Sequence, residues 1–184
     1  DVCSSDLCFM DNSFTCAENC QAFPSGEIVP EIFTAHKKID AHTHIGAFGS
    51  PFNIHFDTKR LLEQMETYHI EKTILCPSGC HENEDVAAAY RAHPDKIIPL
   101  MWINCAEGQP AYDALEHYLR DEGFAGAKLQ SLFDGYTADA PCVDPAAELC
   151  EQYGKPLFIH SGHPPFSLPW QIGLLAERDR KSVV

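Results

Sequence analysis

Five apolar runs of strand length recur in this chain, at residues 39–44, 72–76, 97–103, 124–129 and 156–160, and they arrive every 25 to 33 residues. That spacing leaves room for one helix and two short loops between successive strands, and helical patterns fill it. Residues 58–68 carry Leu61, Leu62 and Met65 on one face behind Asp57 or Thr58 as a cap, and residues 84–92 run to a stop at Pro94. Residues 111–119 place Leu115 and Leu119 four apart and end at Gly123, while residues 145–153 start from an Asp144 cap and end at Gly154. A last helix is expected at 168–178. Strand and helix in alternation predict right-handed parallel βαβ units.

Two architectures use that repeat, an open doubly wound sheet and a closed eight-stranded barrel. An open nucleotide-binding sheet needs a glycine-rich turn after its first strand, and the residues following Ile39 are instead Asp-Ala-His-Thr-His-Ile-Gly. A barrel gathers its working groups at the C-terminal ends of strands, which is where His42, His44 and His160 fall. A complete barrel takes about 250 residues. The expected fold is therefore α/β, a partial TIM (β/α)8 barrel comprising the first five βα units only.

The ends of the chain call for a different explanation. Residues 1–7, DVCSSDL, and 179–184, DRKSVV, are what the two ends of a common short-read sequencing adapter would encode. Both are expected to be adapter-derived scars on an incomplete gene fragment, and they are set aside in fold arguments as tags would be. Residues 8–37 mix Asn, Ser, Cys, Pro24 and Gly26 and predict an irregular leader, which leaves 38–178 as the partial barrel.

With 27 acidic against 13 basic residues the net charge is -14, a field that repels phosphate backbones, so nucleic acid is excluded as a partner. No apolar run approaches the roughly 20 residues of a membrane span, and no membrane partner is expected. Assembly as a homo-oligomer is left open. Nine cysteines are scattered at an odd count, which favours a reducing, cytoplasmic setting over a secreted disulfide framework. Cys16-x3-Cys20 and Cys76-x3-Cys80-His81 each offer half of a metal site without a matching second pair.

The informative motif is Ile39-Asp40-Ala41-His42-Thr43-His44-Ile45-Gly46. Alternation along a strand puts Asp40, His42 and His44 on one face, the face that points into a barrel. Two imidazoles buried side by side leave polar nitrogens unsatisfied unless they share a partner, and a metal ion satisfies both. The other single histidines, His36, His55, His69, His93 and His117, read as ordinary polar residues.

The ordered set IDAHTHIG, FAGAKLQ and KPLFIHSGHPP resembles the metal-dependent amidohydrolase superfamily, in its amidohydrolase-related branch of aminocarboxymuconate-semialdehyde-decarboxylase-like enzymes, over residues 38–178. The resemblance implies that His42, His44 and His160 bind a divalent metal ion, zinc in the usual case. It also implies a histidine ending a sixth strand and an acid-base aspartate ending an eighth, neither of which is in this chain, so the fragment itself is expected to be inactive. Lys128 in GAKLQ and His163 in SGHPPF are candidate contacts to a small-molecule substrate. Phe48, Phe52, Phe133, Phe166 and Trp170 fall near strand ends and are candidate walls of an apolar pocket. A metal ion held by imidazoles lowers the pKa of bound water towards 7. On that chemistry the expected activity is hydrolysis of an amide, ester or lactone, with metal-dependent decarboxylation and a non-catalytic metal-binding fragment as alternatives.

Overall fold

A computed structural model describes residues 36–49 and 53–178. Residues 1–7 and 179–184, Phe52, the Cys16–Cys20 pair and nearly all of the expected leader lie outside the described residues. Six strands form one sheet: β1 (Lys38–Phe48), β2 (Ile54–Phe56), β3 (Ile70–Pro77), β4 (Ile97–Trp102), β5 (Gly126–Leu129) and β6 (Leu157–Ile159). Their order is β2-β1-β3-β4-β5-β6. Every pair from β1 to β6 is parallel, as the repeat predicts, while β2 folds back antiparallel on β1. The helices are α1 (Thr58–Thr67), α2 (Asn83–Ala92), α3 (Gln109–Arg120), α4 (Ser131–Asp134), α5 (Asp144–Gln152) and α6 (Pro169–Arg178).

Local chemistry explains most of these bounds. Asp57 caps α1 by accepting the Arg60 backbone N–H at 2.8 Å, and Leu61 and Met65 turn inward behind it. Leu115 and Leu119 on α3 are likewise buried. Asp144 does not cap α5: a tight turn over Pro141–Val143 runs straight into the helix, so Asp144 is already its first residue. Its carboxylate instead pairs with Arg178 of α6 at 2.8 Å.

Helix faces and sheet share one core. Leu75, Val86, Ile103, Leu115, Phe124 and Leu129 are fully buried within it. At Gly126 a Cβ would sit 2.5 Å from the Pro156 carbonyl oxygen, so only glycine lets β5 lie this close to the chain entering β6.

The sheet is strongly curled. β1 and β6 are four strand positions apart, about 19 Å across a flat sheet at usual strand spacing. Yet the rings of His42 on β1 and Phe158 on β6 stand 5.1 Å apart, centroid to centroid. This is a half-barrel of five parallel strands, a partial TIM barrel, with its concave side lined by side chains from both ends of the sheet.

Candidate metal centre

Register explains which groups meet inside the curl. Trp102, Lys128 and Phe158 are paired across β4, β5 and β6 and form one row. On β1, three residue steps from Asp40 to Thr43 face two from Thr73 to Leu75, so a bulge falls within the histidine motif. The bulge is held locally, since Asp40 Oδ1 accepts the His42 backbone N–H at 3.1 Å. Gly46, at φ 121°, ends the motif where a Cβ would meet the Ser78 hydroxyl at 2.1 Å. No other residue fits that turn without displacing Ser78.

His42 and His44 come together as the motif predicts. Their Nε2 atoms are 2.9 Å apart and their rings 4.7 Å apart. Two imidazole nitrogens this close share either a proton or a cation. Neighbouring nitrogen ligands of one ion, bound at about 2.05 Å, stand about 2.9 to 3.4 Å apart for octahedral to tetrahedral angles. His44 Nδ1 lies 2.7 Å from the Pro77 carbonyl oxygen, which only accepts. The proton therefore sits on Nδ1, and the Nε2 lone pair is left facing His42. A carbonyl behind a ligating imidazole is the usual support of a metal-bound histidine, so the donor set fits a divalent ion.

Electrostatics point the same way. Burial, with the charges of Lys128, His44 and His160 added, pushes His42 down to about 3, so it is neutral with a lone pair to offer at physiological pH. His160 follows β6, its backbone N–H donating to Leu129 O at 3.0 Å, and its charge is felt at His42. His163 is exposed and stacks on His160 at 4.9 Å. Lys128 is 1% exposed, with Nζ 4.8 Å from the centre of the Phe158 ring. Phe48 packs edge-on against His44 at 5.7 Å. Trp170 is 59% exposed and Phe133 61%, so neither is enclosed in a pocket wall, although Phe133 stacks on Trp102.

Trp102, Phe158 and Asp134 belong to this mouth and carry no motif of their own. The rule that barrel strands end at the working face would have found Trp102, the last residue of β4. Its indole N–H donates to Asp134 Oδ2 at 3.0 Å, and its ring lies 6.3 Å from that of His44. Burial raises Asp134 from an ordinary 3.8 to about 6. The folded chain thus holds a proton there that the unfolded chain has lost, and stability falls as pH rises through that window. Relative to the parent, Asp134→Asn is expected to gain about 1–2 kcal/mol between acid and neutral pH, after discounting for partial exposure. Urea denaturation at both ends of the window checks this, and a constant difference would refute it.

A family model described as amidohydrolase matches residues 39–178. The 2-amino-3-carboxymuconate-6-semialdehyde decarboxylase of Dictyostelium discoideum is 28% identical over 104 residues, which cover 52% of this chain and 28% of that protein. Among solved structures, 5-carboxyvanillate decarboxylase of Novosphingobium aromaticivorans, complexed with manganese, matches with a TM-score of 0.61 at 16% identity, over 82% of this chain and 56% of that one. The 2,6-dihydroxybenzoate decarboxylase from Rhizobium matches with a TM-score of 0.57 at 16% identity, over 77% and 54%. The chain thus spans about a quarter of the curated relative's length and little more than half of the solved ones.

These relatives correct the expectation of hydrolysis. All three are decarboxylases. The motifs favoured neither chemistry, because one metal and one acid-base group serve both and the difference lies in the loops that hold substrate. With its family match running through five consecutive strands of the half-barrel, the chain belongs to the amidohydrolase family.

Proposed function

We propose that this chain carries the metal-binding strands of a decarboxylase, a lyase that releases carbon dioxide from a small carboxylated substrate, with His42, His44 and His160 as metal ligands. The observation that carries the reading is the pair of Nε2 atoms 2.9 Å apart at the mouth of the half-barrel. The relatives support the choice of reaction. The imidazole donor set suits zinc among divalent ions. Such an ion supplies a Lewis acid that draws in and polarises an anionic oxygen of the substrate.

The chain's own residues do the rest. His44, oriented by the Pro77 carbonyl, and His42, kept neutral by burial, present lone pairs at the mouth. The Lys128 ammonium, beneath them beside Phe158, attracts a carboxylate. His163 reaches the same mouth from the rim. Trp102 and Phe158 flank Lys128 across β4, β5 and β6 and set it in an aromatic frame. When the carbon–carboxylate bond breaks, its electron pair stays on carbon and a proton must be delivered there. The resemblance assigns that proton to an aspartate outside these residues, so the chain alone is expected to bind metal with little or no turnover. A reducing, cytoplasmic setting is part of the proposal, on the odd and scattered cysteine count, and among the described residues no helix is long and apolar enough to cross a membrane.

The test uses a full-length protein containing this segment, loaded with metal and offered small carboxylic acids, esters and lactones. Carbon dioxide release that disappears on replacing His42 and His44 is expected; ester or lactone cleavage without carbon dioxide would overturn the reading. Lys128→Met is expected to retain the metal and to weaken binding of a small aromatic carboxylate roughly tenfold, the worth of one charged contact. Calorimetric titration measures both.

A further inference from the structure

β3 runs into the turn Ser78-Gly79-Cys80-His81, and the turn after β4 carries Glu107. The two turns meet at the mouth of the half-barrel. His81 Nε2 lies 3.4 Å from Glu107 Oε1, and Cys80 Sγ lies 3.9 Å from the same oxygen. Ligand atoms of all three side chains fall within 4.8 Å of one another. A tetrahedral ion with one sulfur, one nitrogen and one oxygen ligand sets nitrogen and oxygen about 3.4 Å apart and sulfur and oxygen about 3.6 Å apart.

We propose that Cys80, His81 and Glu107 form a second divalent-cation site, one that takes zinc and staples the loops after β3 and β4 together. A thiolate beside an imidazole selects a borderline-soft ion over magnesium, calcium or manganese. Both turns are already pinned. Asn83 Nδ2 donates to the Cys80 carbonyl at 2.8 Å, and Asn104 accepts the Ala106 N–H at 3.1 Å and donates to Glu107 at 3.3 Å. The carboxylates of Glu82 and Asp134 line the recess that Cys80 and His81 also line, giving a negative field that draws in a cation. The site shares no ligand with the histidine pair of β1. Cys80-His81 reads as half a site in the sequence because its third member is 26 residues further along, on another loop.

Cobalt(II) is the probe, since sulfur ligation produces a sulfur-to-cobalt charge-transfer absorption that an all-histidine site lacks. In the full chain carrying His42→Ala and His44→Ala, that absorption is expected at one equivalent, with zinc displacing it and raising Tm. Adding Cys80→Ser should abolish both effects, and Glu107→Gln should weaken affinity at least tenfold. Persistence of the absorption in Cys80→Ser would assign it to another cysteine and overturn the proposal, as would its absence from the parent. Should Cys80→Ser fail to fold by circular dichroism, His81→Ala decides, because that side chain is 79% exposed and bears little of the fold. Undiminished cobalt affinity there would overturn the proposal.

Discussion

Replacing His42 and His44 together by alanine, in a Cys80→Ser background that silences the loop cysteine, is expected to lower affinity for zinc or manganese at least about 100-fold. Loss of one supporting contact behind a ligand already costs 10- to 100-fold, and this change removes two ligands outright. The pair acts as a unit: His44 is oriented by the Pro77 carbonyl, and its Nε2 meets that of His42 at 2.9 Å. His117→Ala is the control. That ring lies on the exposed face of α3, paired with Asp121 at 3.0 Å, and its loss should leave affinity unchanged. Competition against a chromophoric chelator measures all three chains, and a double variant that binds as tightly as its parent would refute the site.

The second large effect is on stability. Pairing between β3 and β4 stops at Leu75 and Pro99, yet β4 continues to Trp102. The N–H and C=O of Trp102 face the side that β3 has left, since Ile103 N–H turns the other way to Lys128 O at 3.0 Å. Asn83 stands in for the missing strand: its Oδ1 accepts from Trp102 N–H at 2.8 Å, and its Nδ2 donates to Trp102 O at 2.9 Å and to Cys80 O at 2.8 Å. Asn83→Ala removes three hydrogen bonds and strands two backbone groups in a buried place, for an expected loss of about 3 kcal/mol. Equilibrium unfolding in urea gives the number. A loss below about 1 kcal/mol would mean that water replaces the amide at no great cost.

Long-period features were legible before any coordinates. The five strands and the four helices expected between them follow apolar repeats, and all but β1 fall within about two residues of their expected bounds because burial of one face dictates both pattern and structure; β1 runs four residues past its expected end, to Phe48. The meeting of His42 and His44 was legible for the same reason. Short-range devices were not. β2 is only Ile54-His55-Phe56, too brief to alternate measurably, and the bulge in β1 depends on the partner strand. Asn83 gave no sign, since an asparagine near a helix start looks like any turn residue until the strand it substitutes for is seen to end. Lyase against hydrolase was hidden in loops, where nothing periodic reports on substrate.

Sequential strand order also bears on how the molecule is assembled. Each parallel strand of the half-barrel docks on the one made just before it, so the sheet can grow by accretion as the chain leaves the ribosome, without waiting for distant segments. The histidine motif is on the first strand and His160 follows the last. The proposed ligand set of His42, His44 and His160 is therefore complete only when β6 has docked, and until then this site offers an ion the two imidazoles of β1 alone. An ion at this site cannot template the early strands; its tight capture would wait for the curl to bring β6 back to β1.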